Sequence, residues 1–194
     1  TYFYHPHVHG SSSNQQGGGM AGALIVDPRE NSPPLPAAIA AMAEEVLLLQ
    51  HLCFHNEGKY EDSTPYINHL NVVKYGLDNV DPQFVNHQPS ALPDYYLVNG
   101  LYRPTIHMLP GQFKRFRLIA AGLNAFLALH VAQCETYVLA KDGIWVGATA
   151  YLEEWHLLVP GSRIDLGVRC NQTGMYDVAS SKNAPPYHED IATT

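Results

Sequence analysis

The chain has 194 residues, enough for one large domain or for one domain and part of another. Apolar residues make up 46% of it, which is ordinary for a globular protein with a sizeable core. Acidic residues outnumber Lys and Arg by 18 to 11, a formal charge of -7, so there is no electrostatic footprint for nucleic acid or anionic lipid.

In chain order, Thr1 to His9 carries aromatic and β-branched residues with no helical period, and it reads as a strand running into a turn-forming loop at Gly10 to Gly19. Ala23 to Val26 predicts a short buried strand closed by Asp27-Pro28. The Pro-rich polar stretch Pro28 to Pro36 has the composition of a stiff linker. Ala37 to Ala43 allows a helical turn or two, and Glu45 to Phe54 predicts a buried strand that opens a new domain. Between Asn56 and Pro93 the pattern reads as polar loop, with a short helix at Tyr66 to Tyr75.

From Asp94 onward short apolar runs recur: Tyr95 to Val98, Thr105 to Leu109, Phe113 to Ala120, Phe126 to Val131, Thr136 to Leu139, Tyr151 to Val159, Ile164 to Cys170 and Met175 to Ala179. Turn pairs such as Asn99-Gly100, Pro110-Gly111, Asp142-Gly143 and Pro160-Gly161 separate them, the signature of an antiparallel sandwich or barrel. In Lys114-Arg115-Phe116-Arg117-Leu118 basic and apolar residues alternate, which predicts one wet face and one buried face.

No apolar stretch approaches the roughly 20 residues of a membrane span; Gln50, Lys74, Arg115 and Lys141 interrupt the candidates. Any targeting signal is expected to lie outside the chain. Cys53, Cys134 and Cys170 are too widely spaced for a clustered zinc site. One disulfide with a free thiol, or three buried inert thiols, both fit that spacing.

Histidine is the unusual component: 11 residues, as many as Lys and Arg together, with His5, His7 and His9 in five positions. A strand sends positions i, i+2 and i+4 to one face, so three imidazoles would point the same way. Imidazole suits copper, zinc, iron and nickel, and Pro6 disfavours a competing helical turn. The bland alternative is a His-rich surface strand without a specific metal, since the HxH spacing is common by chance. The context weighs against it: aromatic strand, His5-Pro6-His7-Val8-His9-Gly10, polar Gln-containing loop, Gly-rich turn and apolar strand ending at Asp27 arrive in order.

That string resembles the end of the first domain of bacterial-type, laccase-like multicopper oxidases. Asp94-Tyr95-Tyr96-Leu97-Val98-Asn99-Gly100, Pro104-Thr105-Ile106, Pro110-Gly111, Lys114 to Ile119, Asp142-Gly143, Pro160-Gly161-Ser162-Arg163 and Asp165 to Val168 are similar to the second cupredoxin domain of that family. Each motif is generic; their order and spacing carry the likeness. The resemblance implies an all-β, cupredoxin-like Greek-key sandwich preceded by the terminal strands of another cupredoxin domain. Residues 1–28 are then the C-terminal part of the first domain, 29–44 a linker, 45–182 the second domain and 183–194 a tail.

By the same resemblance, His5 and His7 correspond to a pair of copper ligands in a trinuclear type 2/type 3 cluster that reduces dioxygen to water, and His9 to a hydrogen-bonding neighbour of those ligands. The remaining ligand pairs and the substrate-side copper belong to other domains of the parent chain. Dioxygen, an unidentified reducing substrate and those domains are the implied partners, and a periplasmic or extracellular location is the implied compartment. The isolated chain is expected to be inactive. A cupredoxin scaffold that has lost catalysis, or a copper-binding protein, is the alternative, and a two-domain copper nitrite reductase fits the Gln-containing loop less well. His51, His55, His69, His87, His107, His130, His156 and His188 match no ligand pair and read as ordinary polar or core residues. Asn171-Gln172-Thr173 fits the N-glycosylation pattern, but such triplets are frequent by chance and matter only in a protein secreted through a eukaryotic pathway, so the sequence assigns it no role.

Overall fold

The computed structural model describes residues 1–9, 11–52, 54–55, 66–67, 95–122, 127–147 and 151–180. Its elements in chain order begin with β1 (Tyr2–Tyr4), α1 (Ser12–Gly17), β2 (Gly22–Leu24), α2 (Ala37–Ala40), β3 (Ala43–Leu52), β4 (Phe54–His55) and β5 (Tyr66–Ile67). They continue as β6 (Tyr95–Val98), β7 (Leu101–Tyr102), β8 (Lys114–Ala120), β9 (Leu127–Val131), β10 (Glu135–Lys141) and β11 (Ile144–Trp145). The last are β12 (Tyr151–Leu152), β13 (His156–Leu158), β14 (Arg163–Arg169) and β15 (Val178–Ser180).

The larger sheet has the order β11-β10-β14-β8-β3-β6-β7, with β12 added to β10; the smaller sheet is β13-β9-β15. Among the described residues all pairings are antiparallel except β3 with β8, where Ala43 faces Lys114 and Leu49 faces Ala120. The side-chain period of two sends Phe116, Leu118, Ile164, Leu166, Val168, Leu47 and Leu49 of the larger sheet inward. There they meet Leu127, Leu129, Val131 and Leu158 of the smaller one in a single buried cluster. The molecule is thus an all-β, cupredoxin-like sandwich.

Turn chemistry sets the registers. Asn99 (φ 52) and Gly100 (φ 78) link β6 to β7, and Asp142 (φ 50) and Gly143 (φ 83) link β10 to β11. Paired positive φ angles are what a two-residue hairpin requires, and Asn-Gly and Asp-Gly adopt them at least cost. Asn99 also extends the sheet with its side chain: Oδ1 accepts from the Leu48 amide at 2.8 Å and Nδ2 donates to the Val46 carbonyl at 2.8 Å.

Five expectations change. The polar run after His9 forms the helix α1, because the Val8 carbonyl accepts from both Ser11 and Ser12 amides and Ser11 from Gln15, so the turn propagates until Gly17 to Gly19. Thr105 to Leu109 makes no ladder, although Ile106 and Met108 pack against the core. Arg115 and Arg117 are buried rather than wet. Cys134 and Cys170 form a disulfide between the start of β10 and the end of β14, which removes the inert-thiol reading for both; Cys53 lies outside the described residues. The helix expected at Tyr66 to Tyr75 begins instead as strand β5, and residues 68–75 lie outside the described residues. No helix among the described residues is long and apolar enough to cross a membrane.

Candidate metal centre

β1 and β2 pair over three positions, Tyr2 with Leu24, Phe3 with Ala23 and Tyr4 with Gly22. The strand expected to run through His9 stops at Tyr4. The next amides on the partner side, Ala21 and Met20, are spent on the Gly19 and Gln15 carbonyls, and Pro6 has no amide to offer a ladder.

The side chains nevertheless stay in file. Phe3 stacks on His5 at 5.2 Å between centroids with planes 15° apart, His5 lies 5.7 Å from His7, and His7 lies 5.9 Å from His9. All three imidazoles are exposed. The sequence-selected pair is therefore brought together as neighbouring, solvent-facing rings, with His9 continuing the row.

Two anchors hold this segment against the outer face of the larger sheet. At one side the Thr1 hydroxyl donates to Asp165 at 2.7 Å, the Arg163 guanidinium donates to the Thr1 carbonyl at 3.4 Å, and Arg163 sits 5.6 Å above the Tyr2 ring. At the other, Gln16 of α1 donates to the Ala121 carbonyl at 3.0 Å and Gln50 to the Gly19 carbonyl at 3.5 Å. The three histidines lie between the anchors.

Beneath Thr1, charges line the outer sheet face. Arg115 donates to Asp165 through Nε at 3.1 Å and again through Nη2, and to Glu44 through Nη1 at 2.5 Å; Arg117 lies 3.4 Å from Glu44. Trp145 stacks on Arg115 at 4.7 Å. Alternation in sequence correctly put these arginines on the face opposite Phe116 and Leu118. It could not reveal that the N-terminal segment and Trp145 cover that face.

The scattered histidines separate. His51 is buried and stacks on Tyr96, His130 stacks on Trp155, and His107 is exposed. His69, His87 and His188 lie outside the described residues. His156 was missed by sequence reasoning as anything but an ordinary residue. It is fully buried, with Nε2 2.8 Å from the Thr136 hydroxyl, which itself donates to the Glu153 carbonyl, so Nε2 must carry the proton. Its Nδ1 faces Glu153 Oε2 at 3.5 Å. Burial pushes the His156 pKa below its ordinary value, and the Glu153 carboxylate offsets part of that.

Three solved structures frame this arrangement. A multicopper oxidase from Campylobacter jejuni described as a metallo-oxidase is 22% identical with a TM-score of 0.64, covering 92% of this chain and 32% of that one. The blue copper oxidase from Nitrosomonas europaea is 22% identical with a TM-score of 0.60, covering 92% and 48%. A multi-copper oxidase from Pseudomonas thermotolerans is 26% identical with a TM-score of 0.61, covering 91% and 37%. The chain has the multicopper oxidase fold. Neither a protein-family model nor a curated protein matches the sequence. The chain spans 32% to 48% of the length of the multicopper oxidases named above.

His5 and His7 suit copper as part of a donor set: two adjacent, exposed imidazoles on a segment anchored at both ends. Among the described residues no group of three His, Cys, Asp or Glu could hold a metal ion by itself. Any multicopper centre would therefore draw further ligands from outside these residues.

Proposed function

We propose that this chain is an internal part of a laccase-like multicopper oxidase and supplies one HxH ligand pair, His5 and His7, to its trinuclear copper cluster. The parent enzyme couples one-electron oxidation of a reducing substrate to reduction of dioxygen to water, and the bound copper supplies that redox chemistry. Residues 1–28 are the end of the first cupredoxin domain, 29–44 the linker, 45–182 the second domain and 183–194 a tail. The observation that carries this reading is the file of exposed rings, His5 5.7 Å from His7, in a chain with the multicopper oxidase fold.

The chain's own residues preorganise the pair. Phe3 limits rotation of the His5 ring by stacking on it, Pro6 fixes the backbone between the two ligands, and His9, whose ring lies 5.9 Å from His7, is assigned a supporting rather than a ligating role. The test is a copper(II) titration followed by NMR of the imidazole resonances. Selective paramagnetic broadening of His5 and His7, reduced by His5→Ala or His7→Ala and little changed by His9→Ala, is expected. Broadening centred on other histidines, with His5 and His7 sharp, would sink the assignment.

A further inference from the structure

We propose that Asn171 is an acceptor for an N-linked glycan. Asn171-Gln172-Thr173 is the only Asn-X-Ser/Thr triplet without proline in the 194 residues. It occupies the bend directly after β14, and Asn171, Gln172, Thr173 and Gly174 are all exposed. Met175, next in the chain, is 94% exposed, so the surroundings leave room for a bulky polar group.

Local bonding presents the acceptor atom. Nδ2 of Asn171 donates one hydrogen to Glu135 at 2.9 Å, which directs the amide of this exposed side chain and uses one of its two hydrogens. Arg169 holds the same carboxylate at 2.6 Å, and the Tyr176 hydroxyl donates to the Gln172 carbonyl at 2.9 Å, so the bend is braced on both sides. After substitution Nδ2 keeps the single hydrogen that Glu135 uses.

The independent observation is the residue before the triplet. Cys170 is joined to Cys134, and disulfides persist in oxidising compartments, one of which, the lumen of the endoplasmic reticulum, also attaches N-linked glycans. The donor is a lipid-linked oligosaccharide diphosphate. The bond formed joins Nδ2 to the anomeric carbon of the first sugar, the bond broken is that carbon's link to the lipid diphosphate, and Nδ2 releases one proton.

The position is compatible with the metal reading without depending on it. Thr1 meets β14 at Arg163 and Asp165, whereas Asn171 lies beyond the opposite end of that strand. Seven extended residues span about 20 Å, so a glycan there stands well away from the anchored N-terminal segment.

The experiment is to secrete the chain from eukaryotic cells and record its intact mass before and after peptide-N-glycosidase. The expected result is a majority species heavier by one oligosaccharide, converted by the enzyme to the bare chain with Asn171 deamidated to Asp. Thr173→Ser should keep the added mass. Thr173→Ala, which preserves the Asn171 bond to Glu135, should lose it. Secreted chain with a closed Cys134 to Cys170 bond and only the bare mass would overturn the proposal, as would added mass that survives Thr173→Ala.

Discussion

Arg115 and Asp165 meet diagonally across adjacent strands of the larger sheet, each only 2% exposed, in a salt bridge that Thr1 caps from above. Breaking the pair from the Asp165 side leaves Arg115 buried with only the more exposed Glu44 as counter-charge, a loss approaching the about 3–5 kcal/mol of a fully uncompensated buried charge. Asp165→Ala is therefore expected to lower stability by that order in urea denaturation. The double variant Arg115→Met/Asp165→Leu should lose clearly less than the sum of its single changes, because neither orphaned charge remains. Strict additivity would mean that the two side chains are not energetically coupled.

The disulfide closes a loop between Cys134 and Cys170, 36 positions apart. Chain-entropy arguments assign such a loop about 3–4 kcal/mol. Reduction should lower the denaturation midpoint accordingly, and the variant Cys134→Ser/Cys170→Ser should show the lower midpoint irrespective of reductant.

His156 predicts a pH dependence. Its folded-state pKa is lowered by burial from the ordinary 6.5, so between the two values the unfolded chain binds the proton more readily than the folded one. Stability from this residue is complete above about pH 6.5 and falls as the pH drops below it. His156→Gln keeps a donor for Thr136 but cannot titrate. Denaturation midpoints measured at pH 8 and pH 5.5 should converge for the variant relative to the parent; an unchanged difference would exclude His156 as its source.

Gly143 combines a φ of +83 with a close neighbour, since an added Cβ would lie 2.9 Å from the Tyr2 ring. Gly143→Ala should cost about 1–2 kcal/mol for the left-handed backbone alone. It should also displace Tyr2 from Arg163, read as weakened nuclear Overhauser contacts between those side chains. Retention of those contacts would show that the N-terminal segment is held without the turn.

With copper added, the chain alone is expected to consume no oxygen in the presence of a laccase-type donor. Two imidazoles cannot hold a multicopper centre, and no other described group completes one. Oxygen uptake abolished by His5→Ala or His7→Ala would contradict this and imply a centre assembled between chains.

Local rules were legible and coverage was not. Tyr95 to Val98 and the Asn99-Gly100 and Asp142-Gly143 turns could be read directly because alternation and positive φ angles are properties of adjacent residues. That the His5 and His7 rings lie side by side was legible for the same reason. Arg115 and Arg117 were misjudged because a strand's own pattern separates its two faces without revealing what lies on either. Thr136 and His156 meet across 20 positions and Cys134 and Cys170 across 36, with no spacing motif to announce them. The helix α1 escaped because six polar residues carry no apolar period.

The parallel pairing of β3 with β8 bears on how the molecule assembles in time. β3 meets β8 across about 70 positions, whereas β8 meets β14 across 44 to 54 and β14 meets β10 across 23 to 34. During synthesis β3 emerges first and must wait for its neighbour, because closing so long a loop costs entropy before any contact compensates it. The strand that ends at the centre of the larger sheet is thus among the last to gain its full set of neighbours. Until then its run of Val46, Leu47, Leu48 and Leu49 is the segment most in need of protection from aggregation.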